Sequence, residues 1–326
     1  MIKTYLYTKT NEEVKNKIDL ADIKEHMKVG NEKENLLWID LYDTTKEELQ
    51  KIAEIFDFHP LAIEDCLQHT LRSKVDRYDG YTFFIFNSVN YNEENDVEIT
   101  TQELNVFLGE NYIVTVHPKR IKAIGKVVDT IRHSKTKMNQ GADYFLYCII
   151  DEIVDEYFPI LNRISERIDE LEDEMYINPA KEISEEFLAL KRTIVIFRRV
   201  IQPKKRIFAS VGNRYLFKVQ EENIPYFMDL VDHLERIADS LEVYRDLVSG
   251  AMDTYFSIVS ARTNSSMQRL TMITVLTAVI AAITGFFGMN IPLPFQDKPI
   301  MTIVVLVLLI LIPILSWKSA KKRDYL

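Results

Sequence analysis

A line of small and polar residues near the C-terminus has the spacing of one face of a helix. Taken at alternating steps of three and four, the line comprises Asp253, Ser257, Ser260, Asn264, Met267, Thr271, Thr274, Ala278, Ala281, Gly285 and Gly288. Two interpretations fit it. Small residues let helices pack closely within lipid, whereas polar residues at several successive levels are typical of a wall that faces water. Because the line leads to the amide side chain of Asn290, it favours a water-filled ion pathway without excluding helix packing.

The C-terminal half of this line lies in the first of two long uncharged stretches of the chain. No Asp, Glu, Lys or Arg occurs from Leu270 to Gln296 or from Pro299 to Trp317. A charge at the centre of a spanning helix costs about 2.5 to 3.5 kcal/mol, and about 20 helical residues cross the hydrocarbon core of a bilayer. We therefore predict transmembrane helices at about 268–288 and at 299–317, joined by an outer loop at 289–298. The alternative for such stretches is a buried helical hairpin in a soluble core.

Basic residues beside these stretches predict their orientation. Two arginines precede the first stretch and four basic residues lie in the tail at 318–326, whereas the outer loop holds a single lysine. The residues on the inner side are Arg262, Arg269, Lys318, Lys321, Lys322 and Arg323. Lys and Arg accumulate on the cytoplasmic side, so we expect a multi-pass protein of the plasma or inner membrane with both termini in the cytoplasm. The N-terminal residues lack the pattern of a cleavable signal peptide.

Composition excludes several classes of protein. The net charge of −9 argues against a nucleic-acid partner, because phosphate binding needs a basic face, and it suits a domain that concentrates cations. No Walker loop or GxGxxG motif is present, so we expect no nucleotide. Cys66 and Cys148 form no CxxC pattern, and the six histidines have no metal-ligand spacing. No nucleophile–base pair stands out, so an enzyme is not expected.

The N-terminal residues 1–143 predict a cytoplasmic α/β domain with a mixed sheet. Short apolar runs with strand-like composition lie at Lys3–Tyr7, Leu36–Leu41, Tyr81–Val89, Leu104–Leu108 and Tyr112–Val116. The residues Gly109-Glu110-Asn111 between the last two are a hairpin signal. Helical periodicity occurs between the strands, at Lys46–Phe56 and from Pro60 to about Leu67.

From Tyr144 onward the pattern indicates long helices. Residues 144–221 predict two antiparallel cytoplasmic helices, from Tyr144 to about Tyr176 and from Lys181 to Phe208, with Pro203 as a kink or stop in the second. The basic residues at the end of the second helix suggest a solvated face or, alternatively, electrostatic steering near a pore. They are Arg198, Arg199, Lys204, Lys205 and Arg206.

The third helix is predicted to be continuous with the first transmembrane helix. After Pro225 the only Gly or Pro before Gly285 is Gly250, so residues 222–288 can form one stalk helix on the order of 90 Å long at about 1.5 Å per residue. The fold class predicted is thus an α+β/α membrane protein. It combines an N-terminal cytoplasmic α/β domain, a long helical stalk continuous with the first transmembrane helix, and two C-terminal transmembrane helices.

Several motifs together resemble the CorA family of divalent-cation channels. Gly288-Met289-Asn290 ends a long C-terminal helix and is followed by a second span and a basic tail. Further segments similar to the family are His59–Asp65, Ala142–Tyr144, Tyr226–Asp229, Ile237–Asp239 and Arg245–Gly250. The resemblance covers nearly the whole chain, and the triplet in this topology is far more specific than the triplet alone.

The resemblance implies a homopentamer in the lipid bilayer that imports Mg2+, with Co2+ or Ni2+ as further substrates. Gly288, Met289 and Asn290 would then form the selectivity loop, where five Asn290 amides hydrogen-bond the water shell of the ion. The residues that would line the pore or form its gate are Asp253, Asn264, Met267, Leu270, Thr274 and Ala278. The sequence departs from the family at Ala278, where some members have a bulkier residue, and in an outer loop that lacks Met-Pro-Glu-Leu.

The resemblance also implies a regulatory Mg2+ site between subunits. Asp65 and Asp229 match its positions, with Glu64 and Asp151 nearby. Bound cytosolic Mg2+ would hold the ring closed, so Mg2+ is expected both as the transported and as the regulatory ion. Two other functions remain open. They are a zinc transporter of the same superfamily, in which Ile usually replaces Met289, and a membrane-tethered scaffold or sensor.

Overall fold

The computed structural model describes residues 1–9, 13–20, 23, 35–68, 73–91, 98–133, 137–211, 216–289 and 299–322. The chain divides into two units. The first unit comprises Met1–Glu174 and Ala180–Gly250, and the second comprises Met175–Pro179 and Ala251–Leu326. Each unit is described separately below.

A mixed seven-stranded sheet forms the centre of the first unit. Its strands are β1 (Ile2–Thr8), β2 (Glu13–Asn16), β3 (Leu36–Tyr42), β4 (Lys74–Arg77), β5 (Thr82–Tyr91), β6 (Ile99–Leu108) and β7 (Tyr112–His117). The strand order is β2-β1-β3-β7-β6-β5-β4. All neighbours are antiparallel except β3 and β7, which pair in parallel from Leu37 opposite Tyr112 to Tyr42 opposite His117.

The hairpin between β6 and β7 requires the glycine that was predicted to mark it. The Gly109 amide donates to the Tyr112 carbonyl at 2.9 Å. A Cβ atom at Gly109 would lie 2.1 Å from the Tyr112 ring. Any larger residue would therefore displace this buried ring from the turn.

Helices cover both faces of the sheet. The helices are α1 (Lys46–Phe56), α2 (Pro60–Leu67), α3 (Lys122–His133), α4 (Ala142–Asp155), α5 (Tyr157–Ile177), α6 (Lys181–Ala209), α7 (Ile224–Phe287) and α8 (Pro299–Lys322). On one face, Leu49 of α1 and Ile63 of α2 join a buried cluster that includes Ile39 and Phe107. On the other face, Trp38 contacts Phe145 of α4, with their ring centroids 5.1 Å apart.

The starts of α1 and α2 follow from local capping. Thr45 and Glu48 form a capping box, in which each side chain accepts a hydrogen bond from the backbone amide of the other residue. At α2, Pro60 occupies the first turn and the His59 side chain accepts from the Leu61 amide at 3.2 Å. Both helices begin and end where their sequence patterns predicted.

The five predicted strands are all present, while β2, β4 and α3 were not predicted. β2 reads Glu-Val-Lys-Asn and β4 reads Lys-Val-Asp-Arg. Each lies at an edge of the sheet and has a single apolar residue, so neither carries an alternating pattern. In α3, the buried residues Ala123, Ile124, Val127, Val128 and Ile131 have helical spacing, and this signal was overlooked.

The prediction of one helix from Tyr144 to about Tyr176 was wrong. The chain has two helices there, because α4 ends at Asp155 and α5 begins at Tyr157. Pro159 supplies the physical reason: it has no amide hydrogen to donate to the Asp155 carbonyl, and its ring would clash with that carbonyl in a continuous helix.

Two further expectations about the helices have opposite outcomes. Pro203 does not stop α6, which continues to Ala209. The expectation of a single helix after Pro225 is confirmed, because α7 runs unbroken from Ile224 to Phe287. A helix is also present in the second uncharged stretch, from Pro299 to Lys322.

Candidate ion pathway and metal-binding cluster

The predicted polar line lies on an uncovered side of α7 within the second unit. All of its residues from Asp253 to Gly288 are exposed, including the apolar member Met267, with 55% of its surface accessible. Leu270, which lies beside the line, is 65% accessible. Between Leu270 and Gly288, the half-buried residues recur at the same spacing. They are Met272, Leu276, Val279, Ile283 and Phe287. At about 100° per residue, this apolar set lies on roughly the opposite side of the helix from the polar line.

The threonine hydroxyls of the line donate to the backbone of their own helix. Thr271 Oγ1 donates to the Met267 carbonyl and Thr274 Oγ1 to the Leu270 carbonyl, each at 2.9 Å. Such bonds satisfy the hydroxyl hydrogen where no water is available. The remaining lone pairs of each oxygen can still accept hydrogen bonds. At the levels of Thr271 and Thr274, this side of α7 therefore presents oxygen acceptors rather than donors.

The helix ends at the first residue of the triplet. The Gly288 amide donates to the Thr284 carbonyl at 2.9 Å, and a Cβ atom at Gly288 would lie 3.0 Å from that same oxygen. A side chain would crowd the last turn, so glycine suits this position. Met289 is 51% exposed, whereas Asn290 and the remainder of the predicted loop, to residue 298, lie outside the described residues.

The membrane prediction is matched in part by the described helices. Within the part of the chain that the structure describes, the helix ending at Phe287 is the one long and apolar enough to cross a bilayer. A shorter apolar helical segment occupies Ile303–Ser316. The second span at 299–317 thus stays a prediction.

Arg262 has a contact that the sequence did not reveal. Its Nη2 atom donates to the carbonyl oxygens of Tyr176 and Ile177, each at 3.2 Å. These are the last two residues of α5. A cation is favourable at the C-terminal end of a helix, where carbonyl groups lack amide partners. Arg262, which had served only to predict orientation, therefore caps α5.

A separate cluster of possible metal ligands lies in the first unit. Asp151 and Asp155 of α4 and His233 of α7 each offer one ligand atom, and these atoms lie within 4.8 Å of one another. The nearest Asp229 oxygen, Oδ2, is 3.7 Å from His233 Nε2. Asp151 and Asp155 are four residues apart on one helix, as are Asp229 and His233, so each pair lies on one helical face. Four side chains thus meet where α4 ends beside the start of α7.

The electrostatics of this cluster favour a bound cation. Burial raises the pKa of Asp151, and the negative charge of Asp155 raises it further, against a hydrogen bond from Tyr147 that lowers it. Burial, followed by the charge of Asp151, likewise raises the pKa of the Tyr147 phenol. Among the described residues, His233 Nδ1 is buried without a hydrogen-bond partner. A divalent cation would offset the repulsion between the carboxylates.

Two of the four predicted regulatory residues lie outside this cluster within one chain. Asp65 Oδ2 forms an ion pair with Lys74 Nζ at 2.6 Å, and Glu64 Oε1 accepts from Gln68 Nε2 at 2.8 Å. Asp229 and Asp151, by contrast, lie at the cluster. Pairing of Asp65 with Asp229 across subunits stays a prediction. Asp155 and His233 were missed, although their spacing of four from Asp151 and Asp229 was available in the sequence.

Comparisons with known proteins identify the family to which the chain is similar. The family described as CorA-like Mg2+ transporter protein matches residues 33–321. The cobalt/magnesium transport protein CorA of Thermotoga maritima is 35% identical over 260 residues, which span 78% of this chain and 72% of that protein. The putative metal ion transporter YfjQ of Bacillus subtilis is 33% identical over 253 residues, 78% of each chain.

A solved structure shares the fold over the full length. The complete CorA magnesium transporter from Methanocaldococcus jannaschii matches with a TM-score of 0.84 at 24% identity, covering 100% of this chain and 99% of that one. At 24% identity, this match supports the fold alone. The profile match and the two sequence relatives carry the assignment itself: the chain belongs to the CorA-like Mg2+ transporter family.

Proposed function

We propose that this chain is one subunit of a homopentameric channel that imports Mg2+, and also Co2+ or Ni2+, into the cytoplasm. The observation that carries the proposal is the exposed polar line of α7, which lies opposite the half-buried apolar side. A single helix cannot enclose water. Five chains arranged around a common axis, each turning this line inward, would form a continuous wall, and α8 would then face lipid.

The chemistry of the wall suits a hydrated cation. Mg2+ releases its water ligands reluctantly and demands near-octahedral oxygen geometry. Oxygen acceptors such as Thr271 Oγ1 and Thr274 Oγ1, whose hydrogens are bound to the helix, can accept hydrogen bonds from the water shell. A ring of Asn290 side chains at the outer mouth would do the same. Such sites bind weakly enough to release the ion.

The gate is proposed at Met267 and Leu270. Both are large, apolar and more than half exposed in the single chain. Met267 interrupts the otherwise small and polar line, and Leu270 lies beside the line, three residues further along the helix. Rings of such side chains can close a pathway by excluding water. When the gate is wet, moving two charges inward across about 100 mV releases roughly 4.6 kcal/mol, at about 2.3 kcal/mol per charge. Import would then need no further energy source.

Regulation is proposed to act through cations bound in the first unit. In this scheme Asp65 of one subunit approaches Asp229 of its neighbour, while Glu64 and Asp151 contribute nearby. Asp155 and His233, whose ligand atoms lie within 4.8 Å of Asp151, extend the set. A bound cation would hold the ring closed, and its loss would free the stalk helices to separate. The imidazole nitrogen suits Co2+, Ni2+ or Zn2+ better than Mg2+.

A zinc transporter is the second candidate, and His233 is the observation that favours it. Met289 argues for magnesium, since the zinc group usually has Ile at this position. The scaffold hypothesis predicts no ion flux at all. Flux measurements with Mg2+ and Zn2+ on the same vesicles therefore separate all three functions.

The decisive experiment measures ion influx into liposomes containing the purified full-length protein. Wild type should admit Mg2+, and Asn290→Ala should reduce influx by at least about tenfold, because the selective amide ring is lost. Val279→Ala is the control, since Val279 belongs to the half-buried apolar side of the same helix. An intact pentamer without flux would favour the scaffold, and unchanged influx in Asn290→Ala would remove Asn290 as the selective group.

A further inference from the structure

Lys204 is a lysine in the core of the first unit. It belongs to the basic run at the end of α6 that the sequence suggested to be solvated, yet its exposed fraction is 0%. A fully buried lysine is rare, because removing an ammonium group from water is costly unless the charge is paired. The solvated-face interpretation is therefore wrong for Lys204.

The Lys204 amine has two oxygen partners and both are uncharged. Nζ donates to the Asn87 carbonyl of β5 and to the Tyr157 hydroxyl of α5. The Tyr157 hydroxyl itself donates to the same Asn87 carbonyl at 3.2 Å. A neutral amine has two hydrogens and an ammonium has three. The cluster of Asn87, Tyr157 and Lys204 therefore matches the neutral form. In the described part of the chain, the third ammonium hydrogen would be left with the Tyr157 ring, whose centroid is 4.8 Å from Nζ.

Among the residues that the structure describes, no carboxylate forms an ion pair with Lys204. Burial lowers the pKa of Lys204 to about 7, and it is the sole cause of the shift. The charged groups nearby have other partners. Lys205 pairs with Glu235 of α7 at 2.6 Å, Glu156 pairs with Lys122 of α3 at 3.1 Å, and Glu103 of β6 accepts from Asn105 at 2.8 Å.

Two irregularities in the helices converge on this cluster. Tyr157 is the first residue of α5, directly after the break at Glu156. Lys204 follows Pro203, which lies inside α6 and leaves the Arg199 carbonyl without its helical amide donor. In addition, among the described residues Asn87 Nδ2 is buried without a hydrogen-bond partner. One polar cluster thus joins the sheet, the start of α5 and the proline turn of α6. Its hydrogen bonding is incomplete, because Asn87 Nδ2 lacks a partner among the described residues.

We propose that the Asn87–Tyr157–Lys204 cluster is a proton-sensitive hinge that attaches α5 and α6 to the sheet and loosens when the cytoplasm becomes acidic. The neutral amine holds the three elements together with matched hydrogen bonds. Protonation places an unpaired charge in the core, and local opening of the cluster relieves it by exposing the ammonium group to water. The hinge depends on these three residues alone and is independent of ion selectivity.

The sign of the effect follows from proton linkage. An opened, hydrated Lys204 has an ordinary lysine pKa, whereas in the closed cluster the pKa is about 7. Between these values the open form binds one more proton than the closed form, so closure becomes more favourable as the pH rises. The opening equilibrium constant should fall by about tenfold per pH unit above about pH 7 and should be level below about pH 6.

Hydrogen exchange of the full-length protein in detergent tests this directly. Amide exchange, corrected for its intrinsic pH dependence, is measured by mass spectrometry in peptides covering β5, the first turns of α5 and the C-terminal half of α6. Wild type should show the tenfold slope described above. Lys204→Met keeps the length and burial of the side chain without a titratable group, so its opening should be independent of pH and lower than that of wild type at acid pH.

Two further variants keep the test decisive. Lys205→Met removes a neighbouring positive charge that pairs with Glu235 and should retain the wild-type slope. Tyr157→Phe removes one of the two oxygen acceptors of Lys204. Because the ammonium form needs these acceptors more than the neutral amine does, the midpoint of Lys204 protonation in the closed cluster should move to lower pH. A wild-type slope in folded Lys204→Met overturns the proposal. Should Lys204→Met fail to fold, an unchanged midpoint in Tyr157→Phe overturns it instead.

Discussion

The apolar residues of α7 are buried in its first half and exposed in its second half. In the first unit, Phe227, Leu230, Leu234 and Ile237 are completely buried, and they recur at steps of three and four. In the second unit, Ile273 and Val275 have 62% and 54% of their surfaces exposed. One continuous helix therefore obtains its stability from its own chain at one end. At the other end it requires an external apolar partner, which lipid and neighbouring subunits would supply.

This difference explains why one half resembles a soluble core helix and the other does not. In water, the hydrophobic effect favours burial of one face of a helix, and the other face remains polar. In lipid this drive is absent, so small and polar residues mark the side that meets other helices or water. The polar line from Asp253 to Gly288 thus lies where a soluble helix would place its solvated face, while most of the remaining surface after Arg269 is apolar.

Truncating one apolar residue in each half of α7 tests this difference in burial most directly. Leu234→Ala, at a completely buried position, should lower the free energy of unfolding of the first unit by about 2 to 5 kcal/mol. Ile273→Ala, at a position with 62% exposure, should leave it nearly unchanged. Denaturation of the solubilised protein can be followed by Trp38 fluorescence in a Trp317→Phe background, since these are the two tryptophans of the chain. Equal losses in both variants would contradict the comparison.

Bulk added on different sides of the second half tests which side faces the pathway. Ala278→Phe places a large ring on the polar line and should reduce Mg2+ influx by about tenfold or more, because the narrow zone would lengthen. Ile280→Phe places the same ring at an off-line position with 37% exposure and should change influx by less than about twofold. Liposome flux at matched protein content gives both values. If the second variant blocks and the first does not, the polar line packs helices instead.

A smaller effect is expected from the acidic cluster of the first unit. The raised pKa of Asp151 means that the metal-free fold loses stability as the pH rises through that pKa, because the folded form must then give up its extra proton. Asp151→Asn should therefore raise the metal-free melting temperature at neutral pH by a few degrees and reduce the further rise that Co2+ produces. Asp169→Asn, at an exposed carboxylate on α5, should do neither. Thermal denaturation with chelator and with Co2+ compares the variants.

Elements with complete local signals were predictable from the sequence. The bounds of α1 and α2 were anticipated because apolar spacing agreed with the capping residues Thr45 and Pro60. The edge strands β2 and β4 were not anticipated, because backbone pairing with a neighbour defines them more than their own residues do. The break at Glu156 could have been found from Pro159, which is incompatible with a continuous helix.

The site was less predictable because it depends on contacts between distant segments. Asp151 and Asp155 meet His233 only once α4 packs beside α7. Lys204 continues the buried apolar spacing of Phe197 and Ile201, a signal that was overlooked, but its partners Asn87 and Tyr157 come from distant segments. The polar line, in contrast, lies on one helix, so its periodicity alone placed its members on one side. The polar line was thus predicted from helical geometry alone, whereas the contacts between distant segments were not predicted.

The threonine hydroxyls tied to their own carbonyls have a consequence for the sign of the transported charge. Each hydrogen that could solvate chloride is already engaged with the Met267 or Leu270 oxygen. In the proposed ring, an anion entering between these threonines would meet lone pairs alone. Anions would thus be rejected without any carboxylate in the bilayer, and the helix would remain easy to insert.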